Sequence, residues 1–314
     1  MIGRVPVTPQ PAVDVVIVNW NTGQRLRQCL QSVAASSGIQ LGSVVVVDNA
    51  SVDGSANELP GGVPLVTVRN DNNRGFAAGC NQGAACGESE LLLFLNPDTI
   101  LRPDTISATV DALTEDAGAD RGICGGRVVR SDGTPAISAS RFPTLANVVA
   151  GVLHVPGLIS RSAARHLGPE ELLTSQIVDQ VIGAFFLVRR DLFDRLGGFD
   201  ERYFVYYEDV DFARRAFAAG WRSYYVHQAC LEHAENVSAR ASGGRALFYS
   251  LRSRTVYARR HWPRWQARAL VVFTLGVELP LRLIWSTRAS SRDRREVWQV
   301  VADYWRFVSD GPDR

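Results

Sequence analysis

A doubly wound α/β fold with a mostly parallel sheet is what this sequence predicts. Three observations carry it. Apolar runs of strand length stand at residues 13–20 (VDVVIVNW), 44–47 (VVVV), 65–68 (LVTV) and 91–95 (LLLFL). Segments with helical spacing alternate with them. Asn and Asp cluster just past several of the runs, where turns belong. From about residue 241 the character changes to helical and rich in Arg and Trp.

Taken in order, residues 13–20 form a buried strand and residues 22–36 a helix with Leu26, Leu30 and Val33 as its apolar face. Residues 44–47 are the second strand, ending at Asp48-Asn49-Ala50-Ser51, and residues 65–68 the third. Residues 75–87 read as a helix with Gly75, Gly79 and Gly83 on one face, so it packs close to the sheet. Residues 91–95 are apolar throughout and suit a strand buried on both faces. Asn96-Pro97-Asp98 stops that strand, because proline cannot extend a ladder and biases the residue before it towards extended backbone. The Asp98 carboxylate is thereby held past the carboxyl end of a central strand, where open α/β sheets bind ligands. Pro103 suits the first turn of the next helix.

Beyond it, residues 125–140 read as two strands joined by a hairpin turn at Ser131-Asp132-Gly133. Residues 142–177 carry no clear pattern. Residues 181–189 (VIGAFFLVR) are a strand, followed by a short helix ending at Gly197-Gly198. Residues 208–219 are a helix stopped by Gly220, with Asp211 and Arg215 four apart. Residues 224–231 are a last strand or two, leading to His233.

Charge is divided unevenly. Residues 1–239 carry 19 basic and 26 acidic side chains, residues 240–314 carry 15 and 6, so a net charge of +2 hides −7 beside +9. All basic residues are Arg. The five cysteines (Cys29, Cys80, Cys86, Cys124, Cys230) are scattered with no C-x-x-C, which fits reduced thiols in a cytoplasm. No basic-then-apolar segment opens the chain, so the sequons at Asn49 and Asn236 are discounted as glycosylation sites. Five of the seven tryptophans lie in the basic tail. Its residues 269–285 are apolar but interrupted by Glu278, Pro280 and Arg282, whereas a spanning helix wants about 20 apolar residues. Two readings remain level: a helix lying in a membrane interface with Arg and Trp at headgroup level, and a helix packed on the body with a solvated basic face.

The motifs narrow the chemistry. There is no G-x-G-x-x-G after the first strand, no G-K-[ST] and no G-x-S-x-G, which removes the usual dinucleotide, P-loop and serine-hydrolase devices. Instead, polar residues gather at strand ends: Asn19 and Asn21, Asp48 and Asn49, Arg74, Asn96 and Asp98. Each alone suits a turn, but a doubly wound sheet brings all of these ends to one edge. Tyr206-Tyr207-Glu208-Asp209-Val210-Asp211 crowds three carboxylates at a helix start. One acid would satisfy the helix dipole; three repel, which is how a general base is tuned. His233, flanked by Glu232 and Glu235, would suit a Mg²⁺ or Mn²⁺ site if it meets Asp98.

The ordered series VIVNWN, VVDNASVDGS, NRGFAAGCNQG, LFLNPD, IGAFFLVRR and GGFDERYFVYYEDVDFARR, followed by His233, resembles the family 2 glycosyltransferases of the GT-A fold. Within that family the resemblance is to bacterial rhamnosyltransferases, over residues 13–238. It implies a GT-A catalytic domain at 1–240, with a nucleotide-sugar half at 13–120 and an acceptor half at 121–240, and a helical appendage at 241–314. By resemblance, Asp48 holds the pyrimidine, with Val18, Asn19, Asn49, Arg74, Gly75, Phe76, Asn81 and Asn96 on the donor side. Asn96-Pro97-Asp98 stands where the family has D-x-D, with Asp98 and His233 on the metal and Asn96 replacing the first acid. Asp209 matches the base with Glu208 beside it, and Gly183, Ala184 and Asp211 fall on the acceptor side. The resemblance further implies Mg²⁺ or Mn²⁺, inverting transfer, dTDP-L-rhamnose as donor and a polyprenyl-diphosphate-linked acceptor in cell-wall or polysaccharide synthesis. The place would be the cytoplasmic face of the membrane, bound peripherally, with no nucleic acid and with room for a homo-oligomer. Another nucleotide sugar or a soluble acceptor stays open. A nucleotidyltransferase would want a glycine-rich basic loop where Asn19-Trp20-Asn21-Thr22 stands, and a non-catalytic binding protein or degenerate transferase would be expected to show losses at Asp98 or Asp209, both of which are intact.

Overall fold

The computed structural model describes residues 11–115, 118–153, 164–234, 245–286 and 291–310. Glu235, the Asn236 sequon and the boundary at 240/241 lie outside the described residues. The chain runs β1 (Ala12–Asn19), α1 (Arg25–Ala34), β2 (Gln40–Asp48), β3 (Leu65–Arg69), α2 (Phe76–Ala84), β4 (Leu91–Leu95), β5 (Thr99–Leu101) and α3 (Thr105–Thr114). It continues with β6 (Arg121–Val129), β7 (Ala139–Ser140), α4 (Leu145–Leu153), β8 (Gln176–Val178), β9 (Gln180–Val181), β10 (Phe185–Arg189) and α5 (Arg190–Arg195). Last come α6 (Glu208–Ala218), β11 (Arg222–His233), α7 (Arg245–His261), α8 (Arg264–Ser286) and α9 (Ser291–Ser309).

Among the described residues one sheet has nine strands in the order β3-β2-β1-β4-β10-β6-β11-β5, with β8 added on β11. β3, β2, β1 and β4 are parallel, β10 enters antiparallel between β4 and β6, and β11 is parallel to β6. β7 and β9 form a separate two-stranded sheet.

The uninterrupted apolar runs follow from burial on both faces. Val13, Val15, Ile17, Leu91, Leu93 and Leu95 face α1 and α3, while Val16, Val18, Leu92 and Phe94 face α2, α5 and α6. On the second face Phe94, Phe193, Phe199 and Phe212 pack with ring centroids 4.8 to 5.5 Å apart. Burying each ring stabilises the fold by about 1.5–3 kcal/mol and pins the loop that leads into α6. α2 lies close on the sheet as its glycines predict: a Cβ on Gly83 would stand 2.4 Å from Val16 Cγ1.

Four elements differ from expectation. Residues 181–189 are not one strand; the chain breaks at 182–184 and passes from the small sheet to the large one. β11 is a single 12-residue strand whose register slips between Val226 and Cys230. The hairpin turn at 130–134 is present, yet its second arm pairs only through a bridge at Val129–Pro135 before leaving for β9. And α8 is a continuous 23-residue helix, long and apolar enough by length and composition to cross a bilayer. Pro280 does not break it, because the ladder shifts to a π turn at Thr274–Glu278 just before the proline, with Leu279 N–H reaching Thr274 O.

The tail helices are docked through α7 and the residue that follows it: Ser253 Oγ donates to Val205 O at 2.8 Å and Trp262 Nε1 to Pro143 O at 3.0 Å. Glu278, buried inside α8, pairs with Arg254 of α7 and with Arg282. Trp265, Val272, Ile284, Trp298 and Trp305 remain exposed on α8 and α9.

Candidate active site

Parallel pairing puts the ends of β1 and β2 side by side, with Asn19 opposite Asp48. The Asn19 amide lies 2.9 Å from Asp48 Oδ1, 3.0 Å from Ser51 Oγ and 2.9 Å from Ser55 Oγ. Asn49 Nδ2 donates to Gly75 O at 3.0 Å, tying this loop to the start of α2. Buried amides and a carboxylate crossing two strand ends form a rigid polar floor. Arg74 is exposed beside it.

The next feature depends on β5, which sequence periodicity missed because it is three residues long. Asn96-Pro97-Asp98 turns β4 into β5, and β5 pairs antiparallel with the end of β11, Thr99 against His233. That register sets Asp98 Oδ1 3.1 Å from His233 Nε2, with Asn96 Nδ2 3.4 Å from the same nitrogen. A six-coordinate Mg²⁺ or Mn²⁺ with bonds of 2.0–2.1 Å places neighbouring ligands about 3 Å apart, so this oxygen and nitrogen suit two adjacent positions. No group of three or more His, Cys, Asp or Glu side chains with metal-ligand geometry occurs among the described residues. A cation here would draw its remaining oxygens from a bound substrate. Glu232 turns away to the Ser131 hydroxyl at 2.6 Å.

The carboxylates of the 206–211 stretch separate. Tyr206 and Tyr207 hold φ of 69° and 71°, a left-handed conformation that costs bulky residues about 1–3 kcal/mol each and concentrates at functional sites. Their kink starts α6 so that Glu208 and Asp209 face inward. Asp209 Oδ2 accepts from Gly183 N–H and Oδ1 from its neighbour Val210 N–H, both at 2.8 Å. A glycine suits this approach: a Cβ at 183 would stand 3.1 Å from Oδ2, so the carboxylate would have to give way by a few tenths of an ångström. Burial raises the Asp209 pKa, while the two N–H donors and Arg165 pull against the rise. Burial, and then the Asp209 charge, push Glu208 well above the usual carboxylate range, and its Oε2 is buried without a partner. With two amide donors on Asp209 and none on Glu208 Oε2, the proton belongs on Glu208.

Two expected site residues are spent elsewhere. Asp211, two positions further round the helix, is completely buried against Arg215 Nε and His261 Nε2, each at 2.7 Å, so it braces α6 to α7 instead of facing an acceptor. Asn81 uses both ends of its amide on Phe199 backbone, at 2.8 and 2.9 Å, and so holds the 199 loop to α2.

A cleft of about 550 Å³ brings Val18, Phe76, Asn96, Asp98 and His233 together with Gly183, Ala184, Glu208 and Asp209. Asn19, Asp48, Asn49, Arg74 and Gly75 sit outside its lining. Sequence reasoning missed Arg165 and Gln180, which also line it. Arg165 lies in the stretch without pattern, and no signal marked it. Gln180 stood one residue before an expected strand.

Residues 9–258 match a family model described as glycosyltransferase like family 2. The chain is 30% identical over 311 residues to N-acetylglucosaminyl-diphospho-decaprenol L-rhamnosyltransferase of Mycobacterium tuberculosis, covering 92% of this chain and 97% of that one. It is 28% identical over 175 residues to rhamnosyltransferase WbbL of Escherichia coli, covering 55% and 63%. Among solved structures, mannosyltransferase PcManGT of Pyrobaculum calidifontis with GDP-Man and Mn²⁺ matches with a TM-score of 0.56 at 17% identity, over 98% and 91% of the chains. TarS of S. aureus with UDP-GlcNAc matches at 0.54 and 14%, over 94% and 81%. The structural likenesses carry the fold. The family model, reaching from β1 into α7, and the full-length relative carry the family: this chain is a family 2 glycosyltransferase with a GT-A fold.

Proposed function

We propose that the enzyme transfers L-rhamnose from dTDP-L-rhamnose, with inversion, to a sugar hydroxyl on a polyprenyl-diphosphate-linked acceptor. The transferred sugar and the acceptor follow the full-length relative's name, and the dTDP carrier follows the resemblance of the sequence motifs to bacterial rhamnosyltransferases. What supports the chemistry most is one cleft lined both by Asp98 with His233 and by Asp209. Asp48 and Asn19 hold the nucleotide base, and Asn96, Asp98 and His233 face the diphosphate. Mg²⁺ or Mn²⁺ held by Asp98 and His233 would act as a Lewis acid for the charge that develops on the leaving nucleoside diphosphate. Asp209, raised towards working pH by burial, takes the acceptor hydroxyl proton as that oxygen forms its bond to the anomeric carbon. The bond from that carbon to the diphosphate oxygen breaks in the same in-line step. Gly183 N–H fixes the carboxylate for it, and Glu208, keeping its proton, does not compete.

In this reading residues 1–240 are the catalytic domain and 241–314 a helical appendage. The exposed Trp, Val and Ile of α8 and α9, in a segment of net charge +9, bind the anionic cytoplasmic membrane surface peripherally. Salt-sensitive flotation of the full chain with anionic vesicles is expected; equal flotation with neutral vesicles, or none, contradicts it. A nucleotide-sugar panel read by released nucleoside diphosphate tests the donor. Turnover should be greatest with dTDP-L-rhamnose, and a UDP- or GDP-sugar in that place would overturn the assignment.

A further inference from the structure

Buried polar atoms are paired in nearly all folded proteins, and one left unpaired in a residue that lines a cavity calls for an explanation, such as a bound ligand. Among the described residues five buried side-chain atoms have no hydrogen-bond partner: Arg127 Nε, Arg165 Nε, Gln180 Oε1, Glu208 Oε2 and Arg254 Nε. Three of those residues, Arg165, Gln180 and Glu208, line the same cleft. Glu208 belongs to the carboxyl pair already described beside Asp209. Arg165 and Gln180 have no place in that pair.

The two share a wall. Gln180 is in β9, opposite Ser140 of β7, and is itself buried. Arg165 is clipped to the same strand end, with Arg141 N–H donating to Arg165 O at 2.7 Å and a bridge joining His166 to Ser140. Both therefore ride on the small sheet, whereas Asp98 and His233 ride on the large one. Asp209 is bonded to Gly183, in the connection between the two sheets. Along the chain's own connections the base stands between the metal-facing pair and Arg165 with Gln180.

Arg165 is also fixed in direction. Nη1 donates to the Tyr207 hydroxyl at 2.9 Å, and the guanidinium carbon lies 4.7 Å from the Tyr207 ring centre. That stacking holds the planar group still while Nε keeps a free hydrogen. It is the only arginine lining the cleft among the described residues.

We propose that Arg165 and Gln180 form an acceptor subsite for a phosphorylated sugar. Arg165 Nε–H donates to a phosphate oxygen of the acceptor, and Gln180 Oε1 accepts from a hydroxyl of the same acceptor. The assignment rests on the transferase reading above and adds a specificity-determining residue to it. A guanidinium binds donor or acceptor phosphate equally well by chemistry; its place on the small sheet, separated along the chain's connections from Asn96 and Asp98 by the Gly183–Ala184 link that holds Asp209, favours the acceptor.

The test compares two acceptors with the full-length protein and Arg165→Gln: a sugar carried on an alkyl diphosphate, and the same sugar as a neutral alkyl glycoside. Each kcat/KM is read by nucleoside diphosphate release with the donor that the panel selects. Any influence of Arg165 on Asp209 acts on both acceptors and cancels in their ratio. The wild type should prefer the diphosphate acceptor, and Arg165→Gln should cut that preference about 10- to 100-fold, the loss expected for a charged hydrogen bond. Arg165→Lys should restore part of it. Equal losses on both acceptors, or a rise in donor KM of the same size, overturn the proposal. A binding arm needs no turnover: calorimetric titration of the alkyl diphosphate sugar onto protein saturated with the selected nucleoside diphosphate and Mg²⁺. Binding at least 10-fold weaker in Arg165→Gln is expected; equal binding overturns the subsite whichever sugar is transferred.

Discussion

The two ends of the cleft are built in opposite ways. Asp98 and His233 are carried by paired strands, and their 3.1 Å approach follows from the β5–β11 register. Asp209 is carried by a helix that begins after two left-handed tyrosines, and one glycine N–H from another loop holds it. Strand register is a stiff device that suits a metal site, where ligand spacing is demanding. Strain held by surrounding packing suits a base that must be buried yet reachable.

Damage should therefore spread differently from the two ends. Among the changes that leave Asp209 in place, the largest effect is expected at the strand-borne end: Asp98→Ala or EDTA should lower kcat/KM about 10³-fold, since a lost Lewis acid removes several kcal/mol of transition-state stabilisation. Full activity without divalent metal contradicts the role given to Asp98. His233→Ala should cost about 10- to 100-fold, and excess Mn²⁺ should recover part of it; insensitivity of the variant to added metal would count against ligation. On the base side Gly183→Ala should lower kcat about 10-fold with donor KM unchanged, because a Cβ 3.1 Å from Oδ2 moves the carboxylate by only a few tenths of an ångström. Higher donor KM with unchanged kcat would show that Gly183 serves the wrong end.

The smallest effect is on stability. The folded Glu208 carboxyl is raised above the unfolded value of about 4.3. Between those two values the folded chain binds more protons, so stability is fully present at acid pH and falls as pH rises through the folded pKa. Glu208→Gln removes that fall. Its melting temperature should match wild type near pH 4 and exceed it by a few degrees at pH 8. A lower value at pH 8 would mean that Glu208 is ionised in the fold.

This contrast also explains what could be read from the sequence. The strands β1, β2, β4 and the glycine face of α2 were legible because burial on both faces writes itself as uninterrupted apolar runs. Family motifs then named Asp98, Asp209 and His233. β5 was too short for periodicity, although it alone makes Asp98 meet His233. Asp211 shares the acidic run of Asp209 and falls on the acceptor side by resemblance; the helix turn and its partners Arg215 and His261 take it out of the cleft. Arg165 stayed invisible because its place depends on a backbone clip to β7, a contact with no local pattern.

The central claim is that Asp209 acts as base on an acceptor while the Asp98 end holds the donor nucleotide. Measuring transfer and dTDP binding together in Asp209→Asn tests it most directly. Transfer should fall at least 10³-fold while the Kd for dTDP with Mg²⁺ stays within about twofold of wild type. Retained turnover, or dTDP binding lost along with it, would contradict the division of the cleft into two ends.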